Sequence, residues 1–160
     1  MADRKNRYVL CDTVAKLYDN NGCFCLVDVA DVPVLSEFTW YKTNKGYWRT
    51  KSMALHRFLL GMPKTYDGKQ VDHINGDRSD NRRCNLRIVT NSQNQMNVGI
   101  CKNNTSGATG VYFRKDRNKW KAGICVDGKQ LWSGLYADFN DAVSERKRME
   151  EKYFGQYRRK

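Results

Sequence analysis

VDHINGDRSDNRRCNLRIVTNSQNQMN, residues 71–97, is the stretch whose reading decides the fold. It is dense in Asp, Asn, Arg and His and nearly free of large aliphatic side chains, unlike a segment built only to pack. Residues 70–74 read as a short strand. Asn75-Gly76 is a turn signal, and the polar run to Arg83 is a loop. Residues 85–89 alternate apolar and polar like a second strand. Thr90 then stands where a helix N-cap stands, with Gln93 three residues on as in a capping box. The expected unit is β-loop-β-α, with Asp72 and His73 on the first strand and Asn94 one turn into the helix. A helix packed back across the hairpin would bring Asp72 and Asn94 to one ion.

These residue types suit phosphodiester cleavage. A carboxylate and an amide oxygen are hard ligands and favour Mg²⁺ or Mn²⁺ over Zn²⁺. Two protein ligands leave room for water and a phosphate oxygen. A neighbouring histidine, largely neutral near pH 7, can take a proton from attacking water. The metal would neutralise charge on the phosphate and the departing oxygen.

Asp72-His73, Asn85 and Asn94 at these spacings resemble the HNH (ββα-metal) nucleases, and residues 72–97 are similar to phage and intron-encoded homing endonucleases. The resemblance implies one divalent metal ion, Mg²⁺ or Mn²⁺, held by Asp72 and Asn94. It makes His73 the general base and Asn85 a structural residue that helps orient it. It further implies a homing-type enzyme that nicks double-stranded DNA as a monomer, inside a phage-infected host cell. The alternative is a DNA-binding regulator with an inactive nuclease centre; cleavage of RNA has no recognition signature here.

Composition agrees with a polyanionic partner. The chain has 160 residues and a net charge of +12. Residues 101–160 hold 14 Lys/Arg against 7 Asp/Glu, and residues 1–100 hold 15 against 10, so the basic excess runs along the whole chain. No apolar run is long enough to span a bilayer and no signal peptide is evident, so an intracellular location is expected. Six cysteines show no CxxC pair, and free thiols are the expected state.

Ahead of the central stretch, residues 1–7 are polar and expected to fray. Residues 8–18 read as one strand, 19–22 as a hairpin turn and 23–29 as its return. Asp31 is placed to cap a short helix with Pro33 in its first turn, ending near Phe38. Residues 40–50 read as a second hairpin around 44–46, whose aromatics Trp40, Tyr41, Tyr47 and Trp48 either stack on bases or build a core. Residues 52–60 read as a short helix closed by Gly61 and Pro63. His56 and Arg57 recur in the HNH group just ahead of the Asp-His strand, and the resemblance puts them near the scissile phosphate, with a structural role open for His56. Arg78, Arg82, Arg83 and Arg87 surround the expected site; they either bind phosphate or pair with Asp77 and Asp80.

Residues 97–108 read as a linker. Beyond it, residues 110–114, 119–126 and 130–135 are three expected strands, and Asp138 caps a helix reaching about residue 153 with an apolar stripe of Phe139, Ala142, Val143, Met149 and Tyr153. The open sheet face would carry Tyr112, Arg114, Lys119, Lys121, Gln130 and Trp132. Gly110-Val111, Lys119-Trp120, Trp132-x-Gly134 and the closing helix resemble the AP2 DNA-binding domain. That resemblance implies DNA contacts from Arg114, Lys119, Lys121 and Trp132; a small α+β domain with a solvated basic face is the alternative. The expected class is α+β: an HNH nuclease domain over 1–98 with a β-rich start, a linker over 99–108, and an AP2-like domain over 109–160.

Overall fold

The first strands are set by alternation. In a computed structural model that describes residues 5–63 and 68–158, β1 (Arg7–Cys11), β2 (Val14–Tyr18) and β3 (Phe24–Asp28) form an antiparallel sheet in that order. Ala15, Leu17, Cys25 and Val27 point to one face and are wholly buried. The single strand expected over residues 8–18 is therefore corrected to a hairpin. The chain reverses at Asp12-Thr13, with Asp12 at φ 49°, the left-handed region that Asp enters at low cost. No glycine marks that turn. Of the tail expected to fray, residues 1–4 lie outside the described residues, but Asn6 is fastened. Its Nδ2 donates to the carbonyls of Tyr18 and Trp40, both at 2.8 Å, and its Oδ1 accepts from the Trp40 amide.

After a 3-10 turn over Val29–Asp31, α1 (Val32–Leu35) begins with Pro33 in its first turn. It stops short of Phe38, and Asp31 makes no side-chain cap bond. β4 (Tyr41–Lys42) and β5 (Trp48–Arg49) form the second hairpin, with Gly46 at φ 83° in its turn. α2 (Leu55–Leu59) follows and ends at Gly61, φ 63°. The indoles of Trp40 and Trp48 are core, which decides between the two readings of the hairpin aromatics: both are buried, whereas Tyr41 is exposed. Trp40 packs edge-on against Phe38 and Phe58 at 5.9 and 5.5 Å between ring centroids, and its Nε1 donates to the Leu35 carbonyl.

β6 (Lys69–His73) pairs antiparallel with β7 (Leu86–Thr90), and α3 (Asn91–Met96) follows directly. Val71 and Leu86 from this hairpin join Ala15, Leu17, Leu35, the two indoles and Leu55 in one core. Asn85, expected to begin the second strand, lies in a 3-10 turn over Arg83–Asn85.

The chain divides into two compact units, Met1–Asn91 and Ser92–Lys160. The second opens with most of α3 and has no helix or strand over residues 97–110. Its linker is a hydrogen-bonded turn: the Gly107 amide donates to Asn104 Oδ1, and Asn104 Nδ2 and Ser106 Oγ donate to the Ala108 carbonyl. β8 (Val111–Arg114), β9 (Lys119–Val126) and β10 (Lys129–Tyr136) make an antiparallel sheet with β9 central. α4 (Phe139–Tyr153) packs on it, capped by Asp138, which accepts from the Asn140 amide. The expected helix stripe needs one correction. Ala142 and Met149 are buried with Arg146 between them, whereas Tyr153 is exposed. Phe154, just past the helix, packs on Ile124 and Met149 instead. Arg146 is held there by the Gly123 carbonyl and by Glu150 Oε1. Gly110 makes the room, since a Cβ at that position would collide with the guanidinium.

All six cysteines are free. Among the described residues no helix is long and apolar enough to cross a membrane.

Trp40 tests this account of the first core. Trp40→Ala is expected to cost about 3–5 kcal/mol in urea denaturation of the full chain, and Tyr41→Ala next to it less than about 0.5 kcal/mol.

Candidate active site

Ile74 and Cys84 are the apolar side chains of the β6–β7 loop, residues 74–85, so its shape rests mainly on hydrogen bonds. Asn85 spans it: Nδ2 donates to Asn75 Oδ1 at 3.0 Å and to the Asp80 carbonyl at 2.8 Å, while Oδ1 accepts from the Asn75 amide. Asp80 accepts from Asn75 and from both ends of the Arg82 guanidinium. That guanidinium and the amide bonds hold the Asp80 carboxyl below its usual range. The loop then docks on the edge of β3. The Leu26 amide donates to the Ser79 carbonyl at 2.7 Å and the Asn81 amide to the Leu26 carbonyl at 2.8 Å.

This frame surrounds the end of β6, where Asp72 and His73 are both buried. Asn85, expected as a structural residue that helps orient His73, makes its bonds to the loop that encloses the end of β6. Asn81, wholly buried, reaches the imidazole with Oδ1 at 3.2 Å from His73 Nε2. Asn81 was not among the residues singled out from sequence; its signal was an Asp-Asn pair eight residues past the histidine. His56 packs its ring edge-on to His73, 5.3 Å between centroids, and Tyr47 lies against both. Arg78 covers Tyr47, its guanidinium 4.4 Å from the ring, and donates to the Lys45 carbonyl.

Burial disfavours the charged form of each imidazole. It pushes His56 down to about 4, with the neighbouring His73 and Arg57 acting in the same direction. It also lowers His73, against the opposing pull of Asn81 and of Asp72, Asp77 and Asp80. Both rings are neutral at pH 7, the form that accepts a proton. The Nδ1 of His56 is buried with no hydrogen-bond partner among the described residues.

The arginines divide by partner. Arg87 stands opposite Asp72 in the strand register, and its Nε and Nη2 both donate to Asp72 Oδ2, at 2.8 and 2.7 Å. Arg83 forks onto Asp31, and its amide donates to Asp28. Arg57 donates to the carbonyls of Pro63 and Lys69. Arg82 holds Asp80 as described, while Asp77 accepts from the Ser79 amide. Of the arginines expected at phosphate, Arg83 and Arg57 thus brace the fold, and Arg87 touches the site carboxylate.

No group of three or more His, Cys, Asp or Glu side chains gathers among the described residues to hold a metal. What the site offers is the buried Asp72 carboxylate and the neutral His73 imidazole of β6, with the His56 ring of α2 beside them, its Nδ1 without a partner among the described residues. Such a set fits a hard divalent ion that keeps much of its water, not a thiolate or imidazole cage. Asn94 lies on α3 in the second unit, where Met96 of the same helix packs on the Ile124–Met149–Phe154 core and Ser92 Oγ donates to Asp127.

The outer sheet face of the second unit is aromatic and cationic. Tyr112 and Trp132 are exposed and meet edge-on at 5.7 Å, and Lys121 Nζ sits 4.0 Å from the Trp132 ring centre. Trp132 lies flat over Gly123, where a Cβ would strike the ring. A β-bulge between Trp132 and Leu135, unmarked in the expected strand, puts Leu135 opposite Lys121 on the same face. Lys119 is exposed beside this group. Arg114 is forked onto Asp116, which holds that carboxyl low.

Residues 59–96, which run from the end of α2 through α3, match the family model described as HNH endonuclease. An uncharacterized HNH endonuclease of Acanthamoeba polyphaga mimivirus is 33% identical over 116 residues, 67% of this chain and 58% of that protein. Protein 3.8 of Escherichia phage T7 is 35% identical over 69 residues, 43% of this chain and 54% of that protein. The match covers between half and two thirds of the length of either relative. No solved structure matches the chain. The β6-loop-β7-α3 stretch is accordingly the part of the chain that is similar to the HNH endonucleases, carried on a mixed α and β frame of small sheets and few helices.

His56 gives the site a pH signature. Its folded value of about 4 lies below the unfolded 6.5, so the unfolded chain binds the extra proton first as pH falls. Stability therefore drops between pH 6.5 and 4, by up to about 3 kcal/mol from this group. In urea denaturation from pH 7.5 to 4.5, His56→Gln is expected to show a shallower loss than the wild type.

Proposed function

We infer that this chain is a metal-dependent HNH endonuclease that hydrolyses phosphodiester bonds of double-stranded DNA. The observation that carries the reading is a buried carboxylate next to a buried neutral imidazole at the end of β6, within the segment that matches the HNH family. Asp72 and Asn94 would hold the ion, Mg²⁺ or Mn²⁺, as the family resemblance implies. A divalent ion there supplies charge neutralisation at the phosphate and the leaving oxygen.

His73 accepts a proton from water as the water oxygen bonds to phosphorus. The bond to the 3′ oxygen breaks and that oxygen takes a proton from solvent water, leaving 5′-phosphate and 3′-hydroxyl ends. Arg87 already reaches Asp72 and is the guanidinium best placed to pass from that carboxylate to a phosphate oxygen. One site per chain cuts one strand per visit, so a homing-type monomer would nick. The second unit is the AP2-like element of this reading, in which Trp132, Tyr112, Lys121 and Lys119 meet DNA. Arg114 joins them only by leaving Asp116.

The Asp72–Arg87 pair also favours a second reading, a DNA-binding regulator whose carboxylate stays committed to the arginine. Supercoiled plasmid separates the two. With Mg²⁺ the wild type is expected to nick it, EDTA to stop the reaction, and His73→Ala to lower the rate about 10²- to 10⁴-fold while a gel shift persists. A gel shift without nicking in Mg²⁺ or Mn²⁺ would favour the regulator. Trp132→Ala is expected to weaken the gel shift about ten-fold, the scale of one lost stacking contact, without lowering the melting temperature of the chain.

A further inference from the structure

Asn81 is a side chain that the endonuclease reading does not use, and its environment fixes more than a position. A carboxamide beside an imidazole can present either its oxygen or its nitrogen, and a neutral imidazole can carry its proton on either nitrogen. Here the choice is forced from the far side. Asn81 Nδ2 donates to the Arg78 carbonyl at 3.2 Å. A carbonyl only accepts, so the amide nitrogen must face Arg78 and the amide oxygen must face His73. That oxygen, 3.2 Å from Nε2, in turn only accepts. The ring proton therefore sits on Nε2 and the lone pair on Nδ1.

We propose that Asn81 is the positioning residue of His73, locking the imidazole in its Nε2–H tautomer and making Nδ1 the basic nitrogen. The lock is stiff because Asn81 is wholly buried and its own amide is tied to β3 through the Leu26 carbonyl. The bond to the imidazole is buried, and β3, the Arg78 carbonyl and the ring hold the side chain from three directions. A histidine left to itself would divide its population between tautomers, and only one of them presents the acceptor where it is needed. The assignment deepens the reading of His73 as the base, but the tautomer itself does not rest on that reading.

The chain has two histidines, so ¹⁵N-labelled full-length protein gives a spectrum that His56→Gln assigns without ambiguity. At a pH where both rings are neutral, long-range ¹H–¹⁵N correlation is expected to show His73 protonated at Nε2. Asn81→Leu, close in shape but unable to accept, is expected to release the ring to a mixture of tautomers. It should also lower kcat for plasmid nicking about 10- to 100-fold, the range for removing an orienting partner, with KM little changed. Asn81→Asp, which keeps an acceptor at the same place, is expected to restore the Nε2–H form. Protonation of His73 at Nδ1 in the wild type would overturn the proposal even if no variant folds. So would an unchanged tautomer, or an unchanged kcat, in a folded Asn81→Leu chain. A wild type with the Nε2–H tautomer that cuts no DNA would uphold the assignment and sink the endonuclease reading.

Discussion

A loop of polar residues cannot be held by burial, and the whole first unit answers to how residues 74–85 are held instead. Their amide side chains and backbone groups are satisfied mainly by one another and by the edge of β3. Asn85 closes the loop across its width, Asp80 gathers Asn75 and Arg82, and Leu26 takes both the Ser79 carbonyl and the Asn81 amide. Arg83 adds a fork onto Asp31 and an amide bond to Asp28. An unmade hydrogen bond in such a place costs about 1–3 kcal/mol, so the frame is cooperative: losing one member exposes the next.

This arrangement explains why the site can be both polar and rigid. The core behind it is built on Trp40, Trp48 and the residues of β2 and β3, with Val71 and Leu86 of the β6–β7 hairpin. Its burial offsets the cost of burying His56 and His73 as neutral rings and of keeping Asp72 inside beside Arg87. A chain selected for stability alone would place apolar residues at these positions, because burying an ionisable group is unfavourable unless it is paired. Asp72 meets that condition through Arg87, which pairs with it across the β6–β7 register.

Much of this was legible in the sequence because it is local. Alternation placed β6, β7 and the three strands of the second unit to within a residue or two, and Asp138 marked the start of α4 where its side chain caps the helix. The residues that escaped are those whose partners are far along the chain. Asn6 looks like part of a polar tail until Trp40 is known to lie beside it, and the fork of Arg83 onto Asp31 joins residues 52 apart in the chain. Arg146 occupies an apolar helix position because a carbonyl of the sheet and Gly110 accommodate it. The Asp12-Thr13 turn carries no glycine, and the bulge in β10 depends on pairing rather than composition. Asn81 stood in plain view as one of several asparagines, and only its bond to His73 distinguishes it.

The account turns on the pinning of the polar loop to β3, and native-state hydrogen exchange at the Leu26 and Asn81 amides measures that directly. Both amides are expected to be strongly protected in the full chain, and Asn85→Ala is expected to speed their exchange together while leaving Leu17 in the core slow. Exchange of these two amides at the rate of an open loop, with Leu17 protected, would contradict it.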